Sequence, residues 1–179
     1  MIKNFEAAVS GDPLILPASG RRFKNSLTVA MSAPKLELSW APHPKALPQA
    51  VANSFVKMMQ QLEVEFEITH PEGYELNPEI VEDSKVNYNQ NEALKHADFV
   101  YVKNWSSYSD YGKILTEDAD WMMTKAKLGD AKFMHCLPVR RNVVVEDAVL
   151  DSKQSVVIEQ ANNRTYAAQI VLKNILENL

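Results

Sequence analysis

The run Phe133-Met134-His135-Cys136-Leu137-Pro138-Val139-Arg140-Arg141-Asn142 concentrates more chemistry than any other stretch of the chain. Phe133 and Met134 read as the end of a buried strand. Pro138 forbids the strand from continuing and has no N–H of its own. The carbonyls of Cys136 and Leu137 are therefore left at a strand end, able to accept bonds from a ligand. Arg140 and Arg141 follow at once, and a planar guanidinium fork binds the two oxygens of a carboxylate or phosphate together. The string suits an anionic, carbonyl-containing substrate. The bland alternative is a strand, a proline turn and two solvated arginines.

Other candidates lie elsewhere in the chain. Lys103 directly follows the apolar run Phe99-Val100-Tyr101-Val102 and must leave the sheet at a strand end. His43 sits between Pro42 and Pro44, as a ligand group or as a plain loop histidine. Asn53 falls in the first turns of a helix, as a ligand group or as a local capping side chain. Arg164 falls near the start of the last helix, where positive charge is mildly unfavourable; on the residue alone a solvated helix-start arginine is favoured over a ligand group. Cys136 reads either as a site thiol or as a small buried hydrophobe. His70 and Glu72, beside Pro71 and Gly73, read as a structural turn rather than an acid/base pair. Trp105 and Trp121 read as packing residues, and Glu63, Glu65 and Glu67 as a solvated strand edge.

The elements that must position these groups alternate between strand and helix. Strands are expected over 36–41, 64–69, 99–102 and 131–136, with a last short one at 156–158. Helices are expected over 49–62, 77–83, 91–96, 118–128 and 162–179. In the first, Val51, Phe55, Met58, Met59 and Leu62 recur on one face at helical spacing; Pro78 suits a first helical turn. Such alternation implies an α/β fold: a three-layer, Rossmann-like parallel sheet with helices on both faces. Ligands of such sheets bind at the carboxyl ends of the strands. His43, His70, Lys103 and Cys136 each follow a strand, which points to one small-molecule cleft. Residues 1–34 read differently, with a short helix over 2–9, a turn, a brief strand over 14–16 and a helical stretch over 25–32.

Bulk properties narrow the classes. A chain of 179 residues is one domain, or one domain with an appendage, and 46% apolar content is ample for a core. A net charge of −4 with no basic block argues against nucleic acid. No apolar run is long enough to span a bilayer, and the start of the chain has no signal-peptide pattern. A single cysteine fits a reducing cytoplasm. No Cys/His spacing suggests a metal site, and 5 glycines form no phosphate loop.

The string around His135-Cys136-Leu137-Pro138 resembles the signature of the transcarbamylases, the aspartate/ornithine carbamoyltransferase family. The ending Val139-Arg140-Arg141-Asn142 resembles the branch that uses N-succinyl- or N-acetylornithine. Trp40-Ala41-Pro42-His43-Pro44, Asn53-Ser54-Phe55, Thr69-His70-Pro71-Glu72-Gly73-Tyr74, Lys103-Asn104-Trp105 and Asn163-Arg164 match that branch in order and spacing. The resemblance runs over 35–179, the second half of a usual member.

It implies transfer of a carbamoyl group from carbamoyl phosphate to the amine of an N-acylated ornithine or ornithine, in arginine biosynthesis. No metal or organic cofactor is implied. Residues 35–179, including the final helix 162–179, are the implied amino-acid-binding domain. Residues 1–34 are the implied remnant of the carbamoyl-phosphate domain and its connection. Cys136 and Leu137 are implied to offer carbonyls to the carbamoyl group and the amine, and Arg164 to reach carbamoyl phosphate. Lys103 is implied to bind the α-carboxylate or the acyl group of the amino acid, Arg140 to pair with a substrate carboxylate, and His43 and Asn53 to bind the substrate. A homo-oligomer, the family's trimer, is implied.

Two motifs of the family's first domain do not occur in these residues: the Ser-x-Arg-Thr phosphate loop and the His-Pro-x-Gln segment that polarises the carbamoyl carbonyl. Losing an oxyanion donor costs a few kcal/mol of barrier. The expectation is therefore no useful carbamoyl transfer by these residues alone. A non-catalytic amino-acid-binding module, or truncated pseudoenzyme, is the alternative. Nucleotide binding is disfavoured, because no Gly-rich turn follows the first strand.

Overall fold

Strand β1 (Lys35–Trp40) is the axis of the sheet. Its residues alternate between two faces, as a pleat demands. Leu36, Leu38 and Trp40 are buried on one face, and Glu37 and Ser39 are buried on the other. The computed structural model describes residues 33–178. The expected helices and strand within 1–32 lie outside the described residues. Pro34–Ala161 forms one unit and contains the whole sheet, and Asn162–Leu179 belongs to a second unit.

β1 pairs in parallel with β2 (Glu65–Thr69) on one side and β4 (Phe99–Lys103) on the other. β3 (Lys85–Asn87) and β5 (Lys132–Met134) complete five parallel strands in the order β3-β2-β1-β4-β5. After β1 the chain moves outward to β2 and β3, then crosses back to β4. Neighbouring strands β1 and β4 therefore lead their loops to opposite sides, and the carboxyl ends at such a switch point are where ligands of parallel sheets bind.

Helix α1 (Ala50–Met59) covers one face, burying Ala52, Phe55, Val56 and Met59 at helical spacing. Phe55 stacks on Tyr101 of β4 with centroids 4.1 Å apart and meets Phe66 of β2 edge-on at 6.2 Å. Helix α2 (Pro78–Val81) starts at Asn77, whose side chain caps the Glu79 N–H. The other face carries α3 (Gln90–Ala93), α4 (Lys125–Leu128), α5 (Asp147–Leu150) and the start of α6 (Val157–Glu177). There Val100, Val102 and Phe133 form one core with Leu94, Met123, Leu128, Val145, Val149 and Val157.

That second face turns polar under α3. The Lys35 ammonium donates to the Ala93 and Lys95 carbonyls at 2.9 Å each, and Gln90 Nε2 donates to Ser39 Oγ at 2.8 Å. Glu37 lies in this layer, fully buried, with the Lys35 ammonium 3.2 Å from its carboxylate. Burial outweighs that ammonium and pushes the Glu37 carboxyl up to about 8.

Several expectations are corrected. The helix expected over 118–128 is two pieces, a 3-10 turn Ala119–Trp121 and α4, because Thr124 caps a new start by accepting the Lys127 N–H. The strand expected at 156–158 is an isolated bridge from Phe133 to Ser155, and Val157 already begins α6. The sequence reading missed β3 and α5, both too short for a clear periodic signal. Glu63 and Glu65 are exposed as expected, and Glu67 is half-buried beside Lys35.

Candidate functional site

The carboxyl ends of β1 and β4 are locked side by side. Trp40 stands in register with Lys103, and the Ala41 N–H donates to the Lys103 carbonyl at 3.2 Å. Buried Trp40 and Trp105 brace this edge, with Trp40 Nε1 donating to the Trp105 carbonyl at 2.9 Å. His43 comes three residues after β1, Lys103 ends β4, and His135 directly follows β5.

Arg140 Nε donates to His43 Nε2 at 3.1 Å. A guanidinium can only donate, so Nε2 carries no proton and the ring proton of the neutral form sits on Nδ1. Nδ1 lies 3.0 Å from the Lys45 carbonyl, which accepts it. The Lys45 N–H at 3.1 Å from the same nitrogen would suit the other tautomer, and the Arg140 bond decides against it. Burial first, then the positive charges of Arg140, Lys103 and Lys45, holds His43 below its ordinary range, against the Lys45 carbonyl bond.

His135 is buried, and burial first, then the nearby Lys103 ammonium, pushes it down to about 4. Its Nδ1 accepts the Leu137 N–H at 3.0 Å, and its own N–H donates to Gln160 Oε1 at 2.9 Å. Leu137 adopts φ +46 and is joined to Pro138 by a cis peptide. Among the described residues, no hydrogen bond reaches the Cys136 or Leu137 carbonyl. Cys136 is a free, half-buried thiol. Burial first, and then the adjacent Cys136, pushes the Tyr101 hydroxyl upward.

His43, Lys103, His135 and Arg140 thus share one basic neighbourhood. Among the described residues, neither Lys103 nor Arg140 has a carboxylate within ion-pair distance. Arg141 is the opposite case. Its fork is spent on Asp151, at 2.7 and 2.8 Å, and on Asp147 at 2.7 Å. Asn53, on α1, has a buried side-chain oxygen with no partner among the described residues. Arg164 is exposed on α6, in the second unit. His70 is buried edge-on to Trp105, in keeping with a structural turn. Sequence reasoning missed His135 and Gln160. The i to i+2 reach of His135 is legible only as a possibility in the string, and Gln160 carries no motif.

Residues 48–175 match the family model described as aspartate/ornithine carbamoyltransferase, Asp/Orn binding domain. The chain belongs to this family. It is 51% identical over 151 residues to N-succinylornithine carbamoyltransferase of Bacteroides fragilis, covering 82% of this chain and 48% of that protein. It is 28% identical over 166 residues to N-acetylornithine carbamoyltransferase of Xylella fastidiosa, covering 81% and 49%. The fold superposes on a crystal structure of N-acetyl-L-ornithine transcarbamylase with TM-score 0.68 at 29% identity, covering 73% of this chain and 46% of that one. A variant of that enzyme complexed with carbamyl phosphate and N-succinyl-L-norvaline gives TM-score 0.69 at 28% identity, covering 75% and 47%. The chain spans about half the length of the curated relatives it matches.

Proposed function

We propose that this chain is the amino-acid-binding half of an N-acylornithine carbamoyltransferase, acting in arginine biosynthesis in the cytoplasm. The observation that carries the reading is the pair Lys103 and Arg140. Both are positive, Lys103 ends β4 and Arg140 bonds His43 just after β1, and neither has a carboxylate partner among the described residues. An N-acylated ornithine brings an α-carboxylate, and with a succinyl group a second one. Two charge-assisted bonds to such groups suit this pair.

In the reaction, the neutral side-chain amine attacks the carbonyl carbon of carbamoyl phosphate. A C–N bond forms, the C–O bond to phosphate breaks, and phosphate leaves while the amine loses a proton. The carbonyls of Cys136 and Leu137 accept from the carbamoyl NH2 and from the amine, which aligns its lone pair with the carbon. The Cys136 thiol lies beside the amine as a positioning group. His43 aims Arg140, and Asn53 turns its unused amide capacity toward the substrate. Arg164 reaches carbamoyl phosphate. Residues 35–179 make up this domain, and 1–34 the tail of the carbamoyl-phosphate domain with its connection. The functional assembly is a homo-oligomer.

These 179 residues contain neither the phosphate loop nor the carbonyl-polarising segment of the family, so they do not perform transfer alone. The test mixes purified chain with radiolabelled carbamoyl phosphate and N-succinyl-L-ornithine, with and without the carbamoyl-phosphate domain of the Bacteroides fragilis relative. Product only in the mixture supports the reading. Product from the chain alone at enzyme-like rates contradicts its inactivity, and no product in either arm, with no acylornithine binding, contradicts the amino-acid pocket.

A further inference from the structure

We propose that His135 is a positioning residue for the carbonyl edge of the site: its ring accepts the Leu137 N–H and thereby holds the backbone that leaves the Cys136 and Leu137 carbonyls without partners among the described residues. The inference rests on the reading above for what those carbonyls bind.

Leu137 is an unlikely residue to stand at φ +46. A side chain there crowds its own backbone by about 1–2 kcal/mol, and leucine has no polar group to bond locally. Something outside Leu137 must hold it. The bond from its N–H to His135 Nδ1 at 3.0 Å does so. In form it is an Asx-turn, in which a side-chain acceptor at one residue captures the N–H two residues on. Histidine Nδ1 occupies the same place along the side chain as the amide oxygen of asparagine.

Three further observations fit this role. Pro138 offers no N–H, so the Leu137 N–H is the last donor of the loop before the turn. The His135 ring is only 3% exposed, so it cannot swing out to another rotamer without opening the core. The His135 N–H is itself captured by Gln160 Oε1 at 2.9 Å, so the base of α6 fixes the residue that fixes the loop. The same geometry excludes a general base. Nδ1 is occupied as an acceptor, so the neutral ring carries its proton on Nε2 and can only donate there.

The test uses the full chain and two variants. His135→Asn keeps an acceptor at the right place, and His135→Phe keeps bulk and burial without one. Nitrogen-15 NMR of the wild-type imidazole is expected to show the Nε2–H tautomer with Nδ1 hydrogen-bonded. Amide exchange at Leu137 is expected to be slow in the wild type and His135→Asn, and fast in His135→Phe. Calorimetric affinity for N-succinyl-L-ornithine is expected to fall about tenfold or more in His135→Phe and to recover within about threefold in His135→Asn. An Nδ1–H tautomer, or a Leu137 amide equally protected in His135→Phe, overturns the proposal. So does a His135→Asn variant no better than His135→Phe. If His135→Phe does not fold, the tautomer and the His135→Asn exchange rate decide. If the wild type binds no acylornithine, the functional reading fails, while tautomer and exchange still decide the role of His135.

Discussion

Arg140 and His43 stand 97 residues apart in sequence and meet through one hydrogen bond of 3.1 Å, from Arg140 Nε to His43 Nε2. The bond uses only one of the guanidinium's five donors. It therefore fixes the direction of the fork without consuming it. In the proposed function, His43 acts on the substrate through Arg140, since its own Nε2 is taken by Arg140 and its Nδ1 by the Lys45 carbonyl.

A double-mutant cycle follows from that relationship. His43→Ala and Arg140→Ala are each expected to weaken N-acylornithine binding, and the double variant to bind within about threefold of Arg140→Ala alone, because contacting residues couple. Calorimetric Kd values for the four proteins check this. Fully additive losses would mean that His43 and Arg140 act independently.

Arg140 and Arg141 are adjacent, yet opposite consequences are expected. Arg141 is neutralised by Asp147 and Asp151, so Arg141→Ala should leave the Kd for acylornithine within about threefold. Arg140→Ala should raise it by about tenfold or more. The same calorimetric assay measures both.

His135 makes stability depend on pH with a definite sign. Its folded-state pKa is about 4, against about 6.5 for a free histidine. The unfolded chain binds the extra proton, so stability is full above about 6.5 and is lost as pH falls toward 4. The full loss is on the order of 3 kcal/mol. Urea unfolding of the wild type and His135→Asn at pH 7 and pH 5 checks it: the wild type should lose more on acidification than the variant.

Glu37 works in the opposite direction. Its folded-state pKa is raised to about 8, so the native state holds a proton that the unfolded chain releases near 4.5. Stability from this group is full below about 4.5 and is lost as pH rises through 8. Glu37→Gln should therefore gain Tm relative to the wild type at pH 8, by about 2–4 °C per kcal/mol. Its advantage should be smaller at pH 5. An equal difference at both pH values would show that Glu37 stays ionised in the fold.

Much of this architecture is readable from residue order. Val51, Phe55, Met58 and Met59 declare a helix by spacing, and the apolar runs around Leu38, Ile68, Val100 and Phe133 declare strands. Strand ends then place His43, Lys103 and Cys136 on one edge. What escaped has physical reasons. Lys85–Asn87 is a strand because β2 offers it an edge, and three residues carry no period of their own. Glu37 alternates with Leu36 and Leu38 just as an exposed strand residue would, and only the covering α3 shows that it is buried. Nothing in two adjacent arginines says which one finds Asp147 and Asp151. The His135 turn depends on ring direction, which follows from packing.

The central claim is an amino-acid pocket built on Lys103 and Arg140. The most direct measurement is calorimetric titration of the purified chain with N-succinyl-L-ornithine, N-acetyl-L-ornithine and ornithine, in the wild type, Lys103→Ala and Arg140→Ala. An acylated ornithine is expected to bind the wild type, and to bind about tenfold or more weakly in each variant. No binding of any of the three, or binding indifferent to both substitutions, would contradict it.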